Sequence, residues 1–347
     1  MRLLIIGGTA FVGRYIAEAA LADGHEVTLF NRGRTNPDLF PRATHLTGDR
    51  NDDLSALAGR EWDATIDVCA YFPRQVHELA RTLGAQGGHT GRGGHHIYVS
   101  SMSAYKTPVA RGFTEDAPLA ELDDPDTEAM TNENYGGLKV ACERLAARMY
   151  GESNTAIVRP TYVIGPHDRS YRMTYWVERI AAGGAVLAAA GKADPIQVID
   201  ARDMGSWIVG LAVDNVSGAF SAVSPPPPFG FGDLLDAISQ TVAPPDTELI
   251  WVSKEFMVAQ GEAETLPLWP GGDSESDINA ADPAAAAATG LKPRPLSQTI
   301  SEIHAAELAN PRPARPEVGL KPEREAELIS LWLESGKSRE PGSSSSG

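Results

Sequence analysis

Leu3-Leu-Ile-Ile-Gly-Gly-Thr-Ala-Phe-Val-Gly13 decides how the rest of the chain is read. Four apolar residues run straight into a glycine-rich turn, and residues 11–22 then carry apolar side chains at helical spacing until Asp23-Gly24 supplies a stop. The order strand, glycine turn, helix is what gives such a turn meaning. Gly7 permits the tight bend, the backbone of Gly8 and Thr9 can approach a pyrophosphate, and Gly13 lets the helix lie close to the sheet. The first helical turn, entered through Ala10, Phe11 and Val12, offers partial positive charge and free N–H donors to an anion.

Outward from this unit, short β-branched runs at 27–30, 45–47, 64–68, 97–100 and 156–158 alternate with helical patterns at 76–83 and 138–150. That alternation predicts an α/β fold, a Rossmann-type doubly wound parallel sheet of six or seven strands, over residues 1–165. Past Gly165 the alternation stops. Proline clusters separate helical pieces at 175–182, 204–213, 231–241, 283–289, 296–308 and 323–333, which predicts a smaller, irregular α+β substrate lobe over 166–334. Some later segments are allowed to return to the first domain. The apolar-poor tail, 335–347, is expected to be disordered, whether native or left by cloning. Six glycines within 84–94 predict a flexible loop.

With 347 residues and 42% hydrophobic content, the chain can build about two packed units. Thirty Lys and Arg against 46 Asp and Glu leave a net charge of −16, a field that repels phosphate backbones and anionic lipid. Nucleic-acid and membrane partners are therefore not expected, and no stretch approaches the roughly 18 apolar residues of a membrane span. Only Cys69 and Cys142 occur, with no metal-binding spacing, and His89, His95 and His96 lack accompanying carboxylates. The expectation is a cytoplasmic protein with no metal site.

Two further stretches carry chemistry. After the second strand comes Asn31-Arg32-Gly33-Arg34, where a cofactor with a free ribose 2′-hydroxyl usually meets an acid. Arg32, with Arg34, instead suits a 2′-phosphate, which favours NADP(H) with NAD(H) as the alternative; a solvated turn charge is the plain reading. Asp49 is placed to accept from an adenine amine. Tyr135-Gly-Gly-Leu-Lys139 puts a phenol and an ammonium one turn apart at a helix start, and the ammonium brings the phenol toward a working acid–base range. Tyr98-Val-Ser-Ser-Met-Ser-Ala-Tyr105 delivers hydroxyls to the carboxyl edge of the sheet.

Taken in order, Gly-Gly-Thr-x-Phe-Val-Gly, Val-Ser-Ser-x-x-x-Tyr, Tyr-x-x-x-Lys and Arg159-Pro-x-x-Val-x-Gly-Pro166 resemble the extended short-chain dehydrogenase/reductase family, also called NAD-dependent epimerase/dehydratases. The resemblance covers about residues 1–310. It is strongest to a subgroup that includes chloroplast stem-loop-binding proteins and bacterial proteins called reductases or epimerases, in which a side chain such as Ala10 replaces the middle glycine. It implies that Ser101 orients the substrate oxygen, with Ser100 and Ser103 as rivals, that Tyr135 moves the proton and that Lys139 assists. It implies too that Pro160 and Val163 lie beside the nicotinamide, that Arg159 is structural, and that monomers can pair through long helices into a homodimer.

Met102 and Ser103 stand where dehydratases of this family carry an Asp-Glu pair, which disfavours dehydration, and Tyr162 and Ile196 replace two anchors of sugar-nucleotide epimerases. Arg169, Arg172 and Arg179 are either replacement anchors or surface charges, while His167 and Asp168 adjoin the same mouth. Tyr171, Tyr175 and Trp176 are read as core, lid or stacking surface. The Pro-rich segment around Trp269 is placed at the substrate cleft. The leading reading is an oxidoreductase acting on a carbonyl or secondary alcohol of a small molecule. The alternatives are an epimerase with tightly bound NAD(P), and a non-catalytic RNA-binding protein on a dinucleotide fold.

Overall fold

The computed structural model describes residues 1–189, 191–269, 274–312 and 317–336. Most of the tail expected over 335–347, and the Pro270-Gly271-Gly272 end of the Pro-rich segment, lie outside the described residues. In chain order the elements are β1 (Arg2–Ile6), α1 (Phe11–Ala22), β2 (Glu26–Asn31), β3 (Thr44–Thr47), β4 (Ala64–Asp67), α2 (Pro73–Leu83), β5 (His95–Val99), α3 (Tyr135–Tyr150), β6 (Thr155–Pro160) and β7 (Tyr162–Ile164). They continue as α4 (Arg172–Ala181), β8 (Ala185–Ala189), β9 (Val198–Asp200), α5 (Ala201–Val213), β10 (Gly218–Ala222), α6 (Phe231–Val242), β11 (Glu248–Val252), α7 (Lys254–Ala259), α8 (Ala284–Ala288), α9 (Leu296–Ala309) and α10 (Pro322–Glu334).

The chain divides into two compact units. The first comprises Met1–Val163, Gln197–Pro227 and Ala280–Arg294; the second comprises Ile164–Ile196, Pro228–Asn279 and the residues from Pro295 onward. Two later segments, Gln197–Pro227 and Ala280–Arg294, thus belong to the first unit.

In the first unit seven parallel strands stand in the order β10-β6-β5-β4-β1-β2-β3. Both faces are covered, which is why β1 reads as an unbroken apolar run rather than an alternation. On one face Leu3, Ile5, Leu29, Ile66, Ile97 and Val158 pack with Ile16, Ala17 and Ala20 of α1 and Trp207, Ile208 and Leu211 of α5. On the other, Leu4, Ile6 and Phe30 meet Leu79 and Leu83 of α2, and Tyr98 and Ile157 meet Cys142 and Ala146 of α3. The strand order reverses between β1 and β4, so a crevice opens at the carboxyl ends of Ile6 and Asp67, which are register partners.

β10 is the strand that sequence reading assigned to the irregular lobe. Gly-Ala-Phe-Ser-Ala has no β-branched residue and a weak pattern. It becomes a strand because β6 offers an open edge, with Phe220 in register with Val158. The segment 84–94 likewise departs from the flexible loop expected of it. It is a compact turn in which Arg92 N–H donates to Leu83 O at 2.7 Å and its guanidinium to Thr82 O at 2.8 Å.

The second unit pairs β8 and β11 in parallel and packs α4 and α6 around an edge-to-face aromatic core of Tyr175, Trp176, Phe231 and Trp251. Both strands escaped sequence reading, being short apolar runs without flanking turn signals. Among the described residues no helix is long and apolar enough to cross a membrane.

Candidate functional site

The turn after β1 is built for an anion. Gly7 and Gly8 have φ of +115° and +93°, and a Cβ on Gly13 would stand 2.7 Å from the Gly8 nitrogen, so α1 begins in direct contact with the turn. Ala10 caps α1 without a side-chain bond, and the first helical turn holds no acidic residue. The helix N–H donors and partial positive charge therefore meet no competing carboxylate of their own. The loop carbonyls are turned to other work: Asn31 Nδ2 donates to Gly7 O (3.2 Å) and Asn36 Nδ2 to Thr9 O (2.9 Å). A glycine cradle that a side chain would fill, lined by unopposed N–H groups, fits a dinucleotide pyrophosphate.

At the end of β2, Asn31 is a brace, its Oδ1 also accepting from Gly33 N (2.8 Å). Arg32 and Arg34 are exposed at this corner. Their charge reaches Asp49, whose carboxyl is held below its ordinary range first by the Asn51 N–H, then by the Asn51 side chain and more weakly by the two guanidinium groups. Arg50, missed by sequence reading, points inward: it clamps the buried Asp67 at 2.5 and 2.9 Å and donates to Gln75 O, tying the loop after β3 to the end of β4.

α3 starts at Tyr135, which is half-buried, and one turn later carries Lys139 into the interior. The Lys139 ammonium donates to Ala70 O (2.9 Å) beyond β4 and to Val99 O (2.8 Å) at the end of β5. It lies 4.4 Å from the Tyr98 ring centroid and 5.4 Å from that of Tyr71. Burial pushes its pKa down to about 8, against the pull of Cys142, Asp67 and Glu143. Burial and, next in size, the neighbouring Tyr135 phenol raise the Tyr71 pKa.

Ser101 caps a single 3₁₀ turn, Met102–Ala104: its Oγ accepts from Ser103 N–H (3.1 Å) and donates to Ser103 Oγ (3.2 Å). Ser100 is instead buried and donates to Glu143, which removes it from the rivals for a substrate-facing hydroxyl. Gly136 seats α3 on this turn, since a Cβ there would collide with the Ser103 carbonyl oxygen. Two glycines in the first turn of a helix are unfavourable on propensity alone, and that was the signal in the sequence that a close approach is made here. Pro160 ends β6 and Val163 lies in β7, and between them the Thr161 hydroxyl donates to Gln197 O (2.9 Å). The first unit thus gathers the phosphate turn, the basic corner, Lys139 and the hydroxyl-bearing turn along the carboxyl ends of its strands.

The NAD dependent epimerase/dehydratase family model matches residues 3–217. The chain belongs to that family. Over 242 residues it is 25% identical to the chloroplast stem-loop binding protein of 41 kDa b of Arabidopsis thaliana, covering 62% of this chain and 58% of that protein, so it spans less than two thirds of that relative. Over 281 residues it is 26% identical to the 2'-dehydrokanamycin reductase of Streptomyces kanamyceticus, covering 76% and 74%. The fold is also that of the human epimerase family protein SDR39U1 crystallised with NADPH, at a TM-score of 0.61 and 18% identity over 88% of this chain and 99% of that one.

Of the residues expected to meet substrate, Ser103 lies in the first unit and His167, Asp168, Arg169 and Arg172 in the second. Asp168 is buried and spends its carboxylate on Ser170 N–H (2.8 Å) and Ser170 Oγ (2.7 Å), and burial raises its pKa. Arg172 Nε donates to the same hydroxyl (3.1 Å), whereas His167 and Arg169 are exposed. Arg179 is structural, held by Glu325 (2.6 Å) and Gly183 O (2.9 Å). Tyr175 and Trp176 are core: Tyr175 Oη accepts from Leu320 N–H (3.2 Å) and Trp176 Nε1 donates to Pro267 O (2.6 Å).

Proposed function

We propose that this family member is an NADP(H)-preferring oxidoreductase that interconverts a carbonyl and a secondary alcohol on a small molecule. The observation that carries the reading is the Lys139 ammonium, delivered from the Tyr135 helix to the carboxyl ends of two central strands and held there by Ala70 O and Val99 O. With two N–H groups committed to carbonyls, a third proton is left to favour the phenolate form of Tyr135 and a cofactor ribose. Tyr135 gives its proton to the nascent alkoxide in reduction and takes it back in oxidation. Ser101 holds the reacting oxygen. The Gly7–Gly13 turn holds the pyrophosphate, and Arg32 with Arg34 the 2′-phosphate. A nicotinamide dinucleotide, when bound, supplies or takes up the hydride. Resemblance to the 2'-dehydrokanamycin reductase favours net reduction over epimerisation.

Full-length protein mixed with NADPH and a panel of small ketones and aldehydes should consume NADPH in a single-turnover absorbance experiment, and Tyr135→Phe should slow it by about 10²–10⁴-fold. An unchanged rate removes Tyr135 from the reaction. Product stereochemistry altered without net NADPH consumption would point to the epimerase instead. Arg32→Ala should weaken NADPH binding by about 10–100-fold, the worth of a charge-assisted contact, with little effect on NADH. Calorimetric titration with both cofactors checks this, and equal losses for the two would show that Arg32 does not read the 2′-phosphate.

A further inference from the structure

Behind the hydroxyl-bearing turn runs a buried polar network that takes no direct part in the proton transfer. Ser100, next to Ser101 in sequence, donates its hydroxyl proton to the Glu143 carboxylate. Glu143 stands one turn beyond Lys139 on α3 and is gripped by Arg159 of β6, Nε to Oε1 at 3.1 Å and Nη2 to Oε2 at 2.7 Å. Both side chains are 5% exposed. The Arg159 guanidinium lies 4.7 Å from the centroid of the Tyr105 ring, and Tyr105 Oη shares a 2.8 Å hydrogen bond with Ser221 Oγ of β10. One ion pair therefore touches the end of β5, the Tyr135–Lys139 helix, the end of β6 just before Pro160, and the residue that closes the Ser101 turn.

Such a pair is a poor source of stability, because desolvating two charges roughly cancels their attraction and an apolar pair of similar volume often does as well. What it supplies is direction. The hydrogen bonds of Ser101 Oγ to Ser103 stay inside its own turn, so they do not orient that turn relative to α3. Ser100–Glu143 makes that connection, and an active site loses rate steeply when its groups drift by about an ångström.

We propose that Glu143 and Arg159 are positioning residues: by holding Ser100 they set the Ser101 hydroxyl against the turn of α3 that carries Tyr135 and Lys139. This rests on the oxidoreductase reading above. Glu143 also acts on Lys139 through its charge. The titratable and charged groups facing that ammonium are Cys142 and Glu143 on α3, Asp67 of β4 with its partner Arg50, Cys69 and Tyr71 beyond β4, and Tyr98 of β5.

The test uses full-length Ser100→Ala, in which only the serine link is cut. NADPH affinity by calorimetry should stay within about twofold, additivity being expected for a site that touches no cofactor group. Amide hydrogen exchange at Ser103–Tyr105 should rise about tenfold or more as the turn loosens. The single-turnover rate should fall about 10–100-fold. A lowered Lys139 pKa should set a break in the pH–rate profile, and in Glu143→Gln, which removes a carboxylate that favours the ammonium, that break should move to lower pH, a shift that loss of packing alone would not produce. Should Glu143→Gln fail to fold around an unpaired Arg159, the double variant Glu143→Gln/Arg159→Met carries the exchange and single-turnover measurements without a buried lone charge, the pH break being read in Glu143→Gln because the double variant removes a cation along with the anion. Wild-type exchange in Ser100→Ala, or an unmoved pH break in a folded Glu143→Gln, overturns the proposal. If Tyr135→Phe turns over at the wild-type rate the functional reading fails, and exchange in Ser100→Ala still decides the positioning role.

Discussion

Lys139→Met is expected to lose about 10²–10⁴-fold in single-turnover rate while changing how the stability of the fold depends on pH. The second effect follows from where the ammonium sits. Its pKa is about 8 in the folded chain against an ordinary 10.5. Below pH 8 folded and unfolded chains both hold the proton, and the folded chain bears the full cost of a buried charge. Between 8 and 10.5 the folded chain has released the proton while the unfolded chain keeps it, so raising the pH stabilises the fold. Measured against Lys139→Met, wild-type stability should therefore climb by about 3 kcal/mol across that window. Denaturant unfolding of both proteins at several pH values checks it, and a difference that stays flat from pH 7 to 10.5 refutes the placement of a strained ammonium here. Part of the cost is met by the Ala70 and Val99 carbonyls and by the faces of Tyr71 and Tyr98, which methionine cannot use. Their loss lowers the stability of the variant at every pH, which is why the pH slope and not the absolute difference is the decisive quantity.

Gly136→Ala is expected to be the most damaging single methyl group in the first unit's site. The new Cβ would be driven into the Ser103 carbonyl oxygen, which belongs to a turn tied to α3 and cannot retreat without carrying Ser101 with it. Two outcomes are physically open to the chain, a tilted α3 or a displaced turn, and both separate Ser101 from Tyr135. Overpacking against backbone should cost about 3 kcal/mol or more, although alanine outranks glycine in helix propensity by about 1 kcal/mol. Thermal unfolding and single-turnover rates measured together test it: a stabilised, fully active Gly136→Ala protein would mean that helix propensity governs this position and that no close approach is made.

The parts legible in the sequence are those whose physics is local. Residues 11–22 form α1 as their spacing predicts, and the strands at β1, β2 and β4 announce themselves by runs buried on both faces. The glycine turn, the basic corner and the Tyr-x-x-x-Lys spacing could be read because each function needs particular residue types within a few positions of one another. Other features were silent for the same reason. β10 has no intrinsic strand pattern and exists because β6 has a free edge. Asp168 reads as a group at the substrate mouth, and the fold buries its carboxylate against Ser170.

Sequence alone determined the layered α/β class, the anion-binding turn and the candidate phenol, ammonium and hydroxyl, since periodicity, glycine conformation and side-chain chemistry are properties of neighbouring residues. Tertiary structure alone decided that Ser100 turns inward while Ser101 stays at the turn, that Lys139 sheds water for two carbonyls and that Glu143 and Arg159 join two strand ends to one helix. Those outcomes depend on which distant atoms share a desolvated space, and burial of that kind has no signature in the order of the residues.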